Sequence, residues 1–406
     1  MTSRLHHALS ELAEQAPAPR TELTGHVITR ARRRRRVRLI AMPAAAAGVA
    51  AAIVVGSVLT GGTTNSAPPA VTVTVPRNGV LNDGPLPGPL PAEKAEPIRY
   101  AFLDHCKQKG GLSYKPPVGD CGQWRLLDRS GKLWRVADGM GAYPTSTGDY
   151  MNSSAPLEIS PDGRRIAYFK VKEQRYVVRD LSSGRITPVG RRMSLPELYR
   201  APAAMAFSGD GRWLAVASGG RSLLADTTTG AVSVLPAGSV VGLGQDAATV
   251  VLTETKGSRT TLVITGRDGR VRGRVPLDPR ASLDMASGEN WLSPDGRTLF
   301  ASRSSHDGAV LVDVRTGKVI RTLRIRMPGG GTLGGITGWA GPSKVFTAHA
   351  LPGWDEPAGP GPAPRRHPFM RSRGLIIDLD TGKSRVLDTY KLRASQISNV
   401  YGGYTS

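Results

Sequence analysis

Residues 160–169 read Ser160-Pro161-Asp162-Gly163-Arg164-Arg165-Ile166-Ala167-Tyr168-Phe169, a turn signal running straight into an apolar stretch. Pro presets φ at the first central position of a tight turn, Asp bonds the local backbone, and Gly accepts the positive φ that closes it. The pattern recurs. Ser208-Gly209-Asp210-Gly211-Arg212 precedes Trp213-Leu214-Ala215-Val216, and Ser293-Pro294-Asp295-Gly296-Arg297 precedes Leu299-Phe300-Ala301. Weaker copies stand at Gly244-Gln245-Asp246 and Gly341-Pro342-Ser343.

A second turn, Asp-x-x-Thr/Ser-Gly, alternates with the first. Its clear copies run from Asp180 to Gly184, Asp226 to Gly230, Asp313 to Gly317 and Asp378 to Gly382, with looser versions ending at Gly131 and Gly269. Two hairpins per ~45 residues make four short strands, which cannot bury their faces alone and must stack in series. Four-stranded units arranged about a centre make a β-propeller. The acids Asp162, Asp210, Asp295, Asp180, Asp226 and Asp313 are therefore turn-formers, not catalytic groups.

These turns resemble the WD40-like, TolB-like and YVTN families of bacterial propeller repeats, across residues from about 100 to 390. The resemblance implies an all-β fold and is silent on reaction. Dividing residues 98–406 gives about 51 residues per blade for six blades and about 44 for seven, against ~40–45 in WD40 repeats. Six glycine turns and a long insertion near 352–373 favour six, while seven stays open if the chain ends pair into a further blade.

The N-terminal quarter has another character. Residues 39–60, Leu39 to Thr60, carry no charge and would span roughly 33 Å as a helix, enough for a bilayer core. Seven of the nine residues from Arg30 to Arg38 are Arg, whereas only Arg77 is charged in residues 61–80. The positive-inside rule then keeps residues 1–38 in the cytoplasm and exports the rest, giving one transmembrane helix in the plasma membrane. The rival reading is a cleaved signal peptide cut near Ala67; its charged region and apolar core are usually shorter than these. Beside an apolar span, the arginine run marks topology and anionic headgroups, so no nucleic-acid partner is expected.

Within residues 1–38, Leu5, Ala8, Leu9, Leu12 and Ala16 recur at helical spacing after Ser3, predicting a short amphipathic helix. That helix either lies on the membrane or docks a cytosolic partner. Residues 61–97, rich in Pro and Gly, read as a linker reaching ~35 Å as a coil or ~110 Å as polyproline II. Residues 98–406 are then the extracytoplasmic propeller.

Cys106 and Cys121 are the only two cysteines, and in an exported domain they predict a structural disulfide worth ~3 kcal/mol. No Gly-x-Ser-x-Gly, His-Glu-x-x-His or Cys-x-x-Cys occurs; Gly382-Lys383-Ser384 imitates a phosphate loop, but Ile377 stands where its first glycine belongs. The seven histidines are scattered, so neither a metal nor a cofactor is expected. The most distinctive surface feature is the insertion Pro352 to Arg373. Its Trp354, Arg365, Arg366, His367, Phe369, Arg371 and Arg373 interleave cations with rings, a candidate binding loop for anionic or planar groups.

With a formal net charge of +22, the expected partners are the membrane, a protein or an anionic cell-wall polymer. The reading is a non-enzymatic binding or scaffolding module at the cell surface. Two others stand beside it: a wall-associated propeller hydrolase or lyase, and a transmembrane regulator signalling through its cytoplasmic segment.

Overall fold

The computed structural model describes Leu81 and residues 86–104, 123–141, 154–200, 203–283, 290–303, 308–325, 327, 336–351, 369–393 and 397–405. In chain order, β1 (Ile98–Asp104), β2 (Trp124–Asp128) and β3 (Leu133–Arg135) belong to one sheet. Strands β4 (Leu157–Ile159), β5 (Arg165–Lys170), β6 (Arg175–Asp180) and β7 (Ile186–Val189) form the second. A short helix, α1 (Leu195–Arg200), leads to the third: β8 (Ala204–Phe207), β9 (Trp213–Ser218), β10 (Arg221–Asp226) and β11 (Val232–Leu235). The fourth holds β12 (Ser239–Leu243), β13 (Val250–Lys256), β14 (Arg259–Thr265) and β15 (Val271–Pro276). The fifth holds β16 (Ala281–Ser282), β17 (Thr298–Arg303), β18 (Ala309–Asp313) and β19 (Val319–Leu323). The sixth holds β20 (Gly338–Trp339), β21 (Lys344–Leu351), β22 (Phe369–Asp378) and β23 (Ser384–Arg393). Finally β24 (Ile397–Tyr401) pairs antiparallel with β1 and completes the first sheet, in the order β24-β1-β2-β3.

Every sheet is four-stranded and antiparallel, and the first strands of successive sheets touch: β24 meets β4, β4 meets β8, and β8 meets β12. First strands therefore ring an axis and fourth strands lie outermost. The molecule is a six-bladed all-β propeller. The chain ends do pair, but inside the first sheet rather than as a seventh blade.

Middle strands are buried on both faces because each blade is sandwiched by two others. Ile166, Ala167, Tyr168 and Phe169 of β5 are all buried, which explains an unbroken apolar run in place of strict alternation. Outer strands are half solvated, and β15 shows mostly exposed residues.

The first turn family is built identically three times. Ser160 Oγ donates to Asp162 Oδ1 at 2.6 Å, Arg164 N–H donates to the same oxygen at 3.0 Å, and Arg165 N–H donates to Ser160 Oγ at 2.9 Å. Ser208 and Asp210 repeat this at 2.5, 3.0 and 2.9 Å. Ser293 and Asp295 repeat it at 2.6, 3.0 and 2.9 Å. In the second family, the N–H groups of Gly184, Gly230, Gly317 and Gly382 each donate to the carbonyl of the Asp four residues earlier at 2.8 Å. Gly163, Gly211 and Gly296, like those four, have positive φ.

Two of these glycines are needed for a further reason. A Cβ on Gly317 would collide with the Pro276 carbonyl on the outer strand of the preceding blade, and one on Gly296 would fall 2.8 Å from Thr249 Cβ. The turns thus set the spacing between blades as well as reversing the chain. Asn290 adds a third tie near the axis: its amide group donates to Phe207 and Leu243 carbonyls at 3.0 and 2.8 Å, while its oxygen accepts from Leu243 N–H at 2.9 Å.

The C-terminal end of the stretch assigned to the linker lies against the propeller. Leu81 N–H donates to Lys391 O in blade 6, Leu90 N–H to Arg135 O in blade 1, and Ala95 N–H to Leu181 O in blade 2, each at 2.9 Å. Leu81 and Leu90 are buried. Residues 1–80 lie outside the described residues, including the segments 1–38 and 39–60; among the described residues no helix is long and apolar enough to cross a membrane.

Replacing Gly296 with Val is expected to lower stability by about 1–3 kcal/mol through the strained φ alone, with more lost to the Thr249 collision. Thermal unfolding of parent and variant measures it; equal Tm values would contradict the turn's role.

Candidate functional site

Both turn families join strands at the same end of the blades, so they share one face of the propeller. The strand ends flanking residues 105–122 and 352–368 lie at the other end. On the turn face opens a cavity of about 1090 Å³. Asp162, Asp210, Gln245 and Asp295, from the first turns of blades 2, 3, 4 and 5, line it together with Gly341 and Pro342 of blade 6.

Its position follows from ring closure. In five blades a turn joins first strand to second; in blade 1 these are β24 and β1, from opposite ends of the sequence, and no turn joins them. Residues 402–405 run along the gap instead. Gly402 N–H donates to Arg99 O at 3.1 Å, Gly403 N–H to Ser160 O at 3.2 Å and Thr405 N–H to Pro161 O at 2.9 Å. Arg129 Nη2 gathers the carbonyls of Asp162, Gly403 and Thr405 at 3.3, 3.1 and 2.7 Å. Burial, reinforced by nearby Arg99, lowers the Arg129 pKa from its ordinary value. The Tyr404 ring stacks on Phe346 at 4.8 Å between centroids.

Blade 6 supplies further lining residues. Lys344 stands across from Asp378, Arg385 stands across from Ile376, and Asp378 N–H donates to Lys383 O at 2.9 Å, so three cations share one end of the sheet. Lys344, Lys383 and Arg385 are exposed, and all three line the cavity. Thr381, through its N–H and then its hydroxyl, holds the Asp378 carboxyl below its ordinary pKa, and Lys344 adds to this. Trp339, Ile376, Leu387 and Tyr404 give the lining an apolar component.

Beneath it lies an ion pair between blades 1 and 6: Arg99 Nη2 to Asp388 Oδ2 at 2.6 Å, with side chains only 11% and 6% exposed. Burial raises the Asp388 pKa, against the pull of Arg99. Tyr390 stacks on Tyr100 at 4.2 Å beside the pair, and burial pushes its hydroxyl well above the usual phenol value.

The candidate site residues from the sequence fall in three places. Asp162, Asp210 and Asp295 reach the cavity rim, each with Oδ1 committed to its turn. Cys106, Cys121, Trp354, Arg365, Arg366 and His367 lie outside the described residues. Phe369, Arg371 and Arg373 belong to β22 rather than to a loop: Arg371 is registered between Leu351 and Lys391, and Arg373 between His349 and Thr389. Pairing with β21 reaches Arg371 and pairing with β23 carries the strand on to Phe369, which shortens the insertion to 352–368. Sequence reasoning missed Arg99, Arg129, Lys344, Lys383, Arg385 and Tyr404. The one available signal was the missing Ser-Pro-Asp-Gly turn ahead of β1. Among the described residues no three His, Cys, Asp or Glu side chains could hold a metal ion.

No protein-family model matches the chain, and no curated protein does. Among solved structures it is similar to TolB from Acinetobacter baumannii at 16% identity and TM-score 0.38, over 76% of this chain and 67% of that one. It is similar to a putative TolB from Agrobacterium tumefaciens at 14% identity and TM-score 0.37, over 74% and 92%. Kuenenia stuttgartiensis hydrazine synthase gives 17% identity and TM-score 0.35 over 57% of this chain, which spans only 64% of that one. At these scores the likenesses carry no functional argument, and the six-bladed fold rests on strand order.

Arg99→Met is expected to cost about 3–5 kcal/mol near neutral pH, because a buried carboxylate loses its partner. A raised Asp388 pKa favours the fold below the unfolded value of about 3.9, and that contribution is lost as pH rises through the raised one. Removing Arg99 raises it further, so the gap between parent and variant should narrow as pH falls toward about 4. Urea unfolding at stepped pH reads the gap; widening on acidification would contradict the pairing.

Proposed function

We propose that this protein is a binding module: a propeller held outside the cytoplasmic membrane by an N-terminal span, with the turn-face cavity as its recognition site. One observation carries the reading. The ring of first turns is broken at blade 1, and the cavity of about 1090 Å³ on that face is lined by carboxylates, cations and apolar groups together. Ligand sites of about 300–1,000 Å³ with a few placed polar groups are the common form of small-molecule pockets, and this cavity lies just above that range.

Support for the span comes from the sequence: an uncharged stretch from Leu39 to Thr60 directly behind seven arginines. The docking of Leu81 on blade 6 shortens the free tether to residues 61–80, about 25 Å as a flexible coil. A propeller so tethered would work close to its membrane, against a protein partner or a wall polymer within reach.

Protease applied to intact, wall-stripped cells should degrade the propeller while sparing an N-terminal tag. Full-length protein recovered in the medium, cut near Ala67, would overturn the anchor. Binding is tested separately, by capture of envelope components on the full-length chain, with Arg99→Met as the control that weakens the cavity wall.

A further inference from the structure

The two ends of the propeller take their charge from different sources. At the turn end the hairpins demand aspartates: Asp162, Asp210 and Asp295 close first turns, Asp313 and Asp378 second ones. At the other end, where second strands hand over to third ones, no such acceptor is called for. There the β5–β6, β9–β10 and β13–β14 connections take positive φ at Gln174, at Gly219 with Gly220, and at Gly257. Asp138 and Glu173, which stand at this loop end, both pair with Lys170, while Glu197 pairs with Arg191 and Glu254 with Arg274. Lys172, Arg192, Arg221, Lys256 and Arg259 are exposed at the same end, and among the described residues none of them is paired with a carboxylate. They form an arc over blades 2, 3 and 4. Val171, beside Lys172 at the tip of the β5–β6 connection, is 43% exposed.

The N-terminal segment arrives at this end too. Leu81 N–H is bonded to Lys391 O, and Lys391 is in register with Arg371 and, through it, with Leu351 at the loop end of β21. Blade 6 stands opposite blade 3 in the ring, so the tether and the cationic arc occupy opposite sides of one face.

We propose, resting on the anchored-module reading, that the loop end lies against the anionic lipid headgroups of the membrane, held at blade 6 by the tether and at blades 2 to 4 by these cations. A cation gains from headgroup charge only within about a Debye length, ~8–10 Å at physiological salt, and a face pinned on both sides brings the whole arc within it. Val171 then reaches into the headgroup layer. The turn end is the poorer candidate, because its aspartates would enter the same negative field. A wall polymer could approach any face, whereas the tether of about 25 Å keeps this one beside the bilayer. The turn-face cavity is then presented away from the membrane, open to partners in the envelope.

The test places the full-length chain in nanodiscs of phosphatidylcholine or of phosphatidylglycerol and follows acetylation of individual lysines by mass spectrometry. Lys172 and Lys256 report the loop end, Lys344 and Lys383 the turn end. In phosphatidylglycerol Lys172 and Lys256 should react on the order of tenfold more slowly than in phosphatidylcholine, and about 1 M salt should remove the difference. Lys344 and Lys383 should react alike in both lipids. Arg192→Gln, Arg221→Gln and Arg259→Gln together should restore labelling of Lys172 and Lys256, with an unfolding temperature matching the parent's; were that variant unfolded, the parent in two lipids would still decide. Equal labelling in both lipids would overturn the docked face and leave the anchor standing, since retention in the discs reads the span by itself. Slower reaction at Lys344 and Lys383 instead would overturn the orientation. Inorganic polyphosphate that protects Lys172 and Lys256 in phosphatidylcholine discs as well as the anionic lipid does would overturn the lipid in favour of a polyanionic polymer. A chain retained in neither disc would overturn the anchor and this proposal with it.

Discussion

The pairing of β24 with β1 is the constraint on which the rest of the propeller depends. Each blade buries its two faces against its neighbours, so a ring left open would present two apolar faces and an unpaired strand edge to water. Five register pairs, from Tyr100 opposite Tyr401 to Asp104 opposite Ile397, close it. They join residues about 300 apart in sequence, yet loop-closure entropy grows only logarithmically with length, so a short ladder backed by buried Tyr100 and Phe102 is sufficient. The same closure deprives blade 1 of its first turn. The cavity is thus a by-product of how the ring is sealed.

Charge on the turn face has two origins. The aspartates are there because a turn needs a short acceptor at that position, and they would be there with no ligand at all. Lys344 faces Asp378 of the neighbouring strand and helps hold its carboxyl ionised, whereas the turn hydrogen bonds ask for no cation at Lys383 or Arg385. Scaffold chemistry therefore supplies one sign and surface choice the other. Arg99 and Arg129 of blade 1 and Lys344, Lys383 and Arg385 of blade 6 flank the seam between those two blades. Below it the Arg99–Asp388 pair and the Tyr100–Tyr390 stack fix the two blades at the floor of the opening.

The hairpins were legible in the sequence because their bonds are local. Ser160, Asp162 and Arg165 satisfy one another within six residues, so the pattern is written where it acts. Blade number was nearly legible, since each repeat carries its own glycine. The seam was not, because Arg99, Arg129, Lys344, Arg385 and Tyr404 are dispersed through the whole propeller and meet only after closure. The extent of β22 also escaped, since Arg371 and Arg373 look like loop residues until Leu351 and Lys391 are placed on either side. Position 247 shows the converse: Ala247 holds the positive φ that Gly163, Gly211 and Gly296 take in their turns, so that copy looked degenerate while keeping its shape.

The run from Leu81 to Ala95 has a mechanical consequence. It crosses from blade 6 over blade 1 to blade 2, gripping each through separate backbone contacts. A pull arriving from the N-terminal side meets Leu81 first, then Leu90, then Lys94 and Ala95, before any load reaches β1. A load applied at Leu81 must therefore undo contacts to three blades in turn before it reaches the strand that seals the ring.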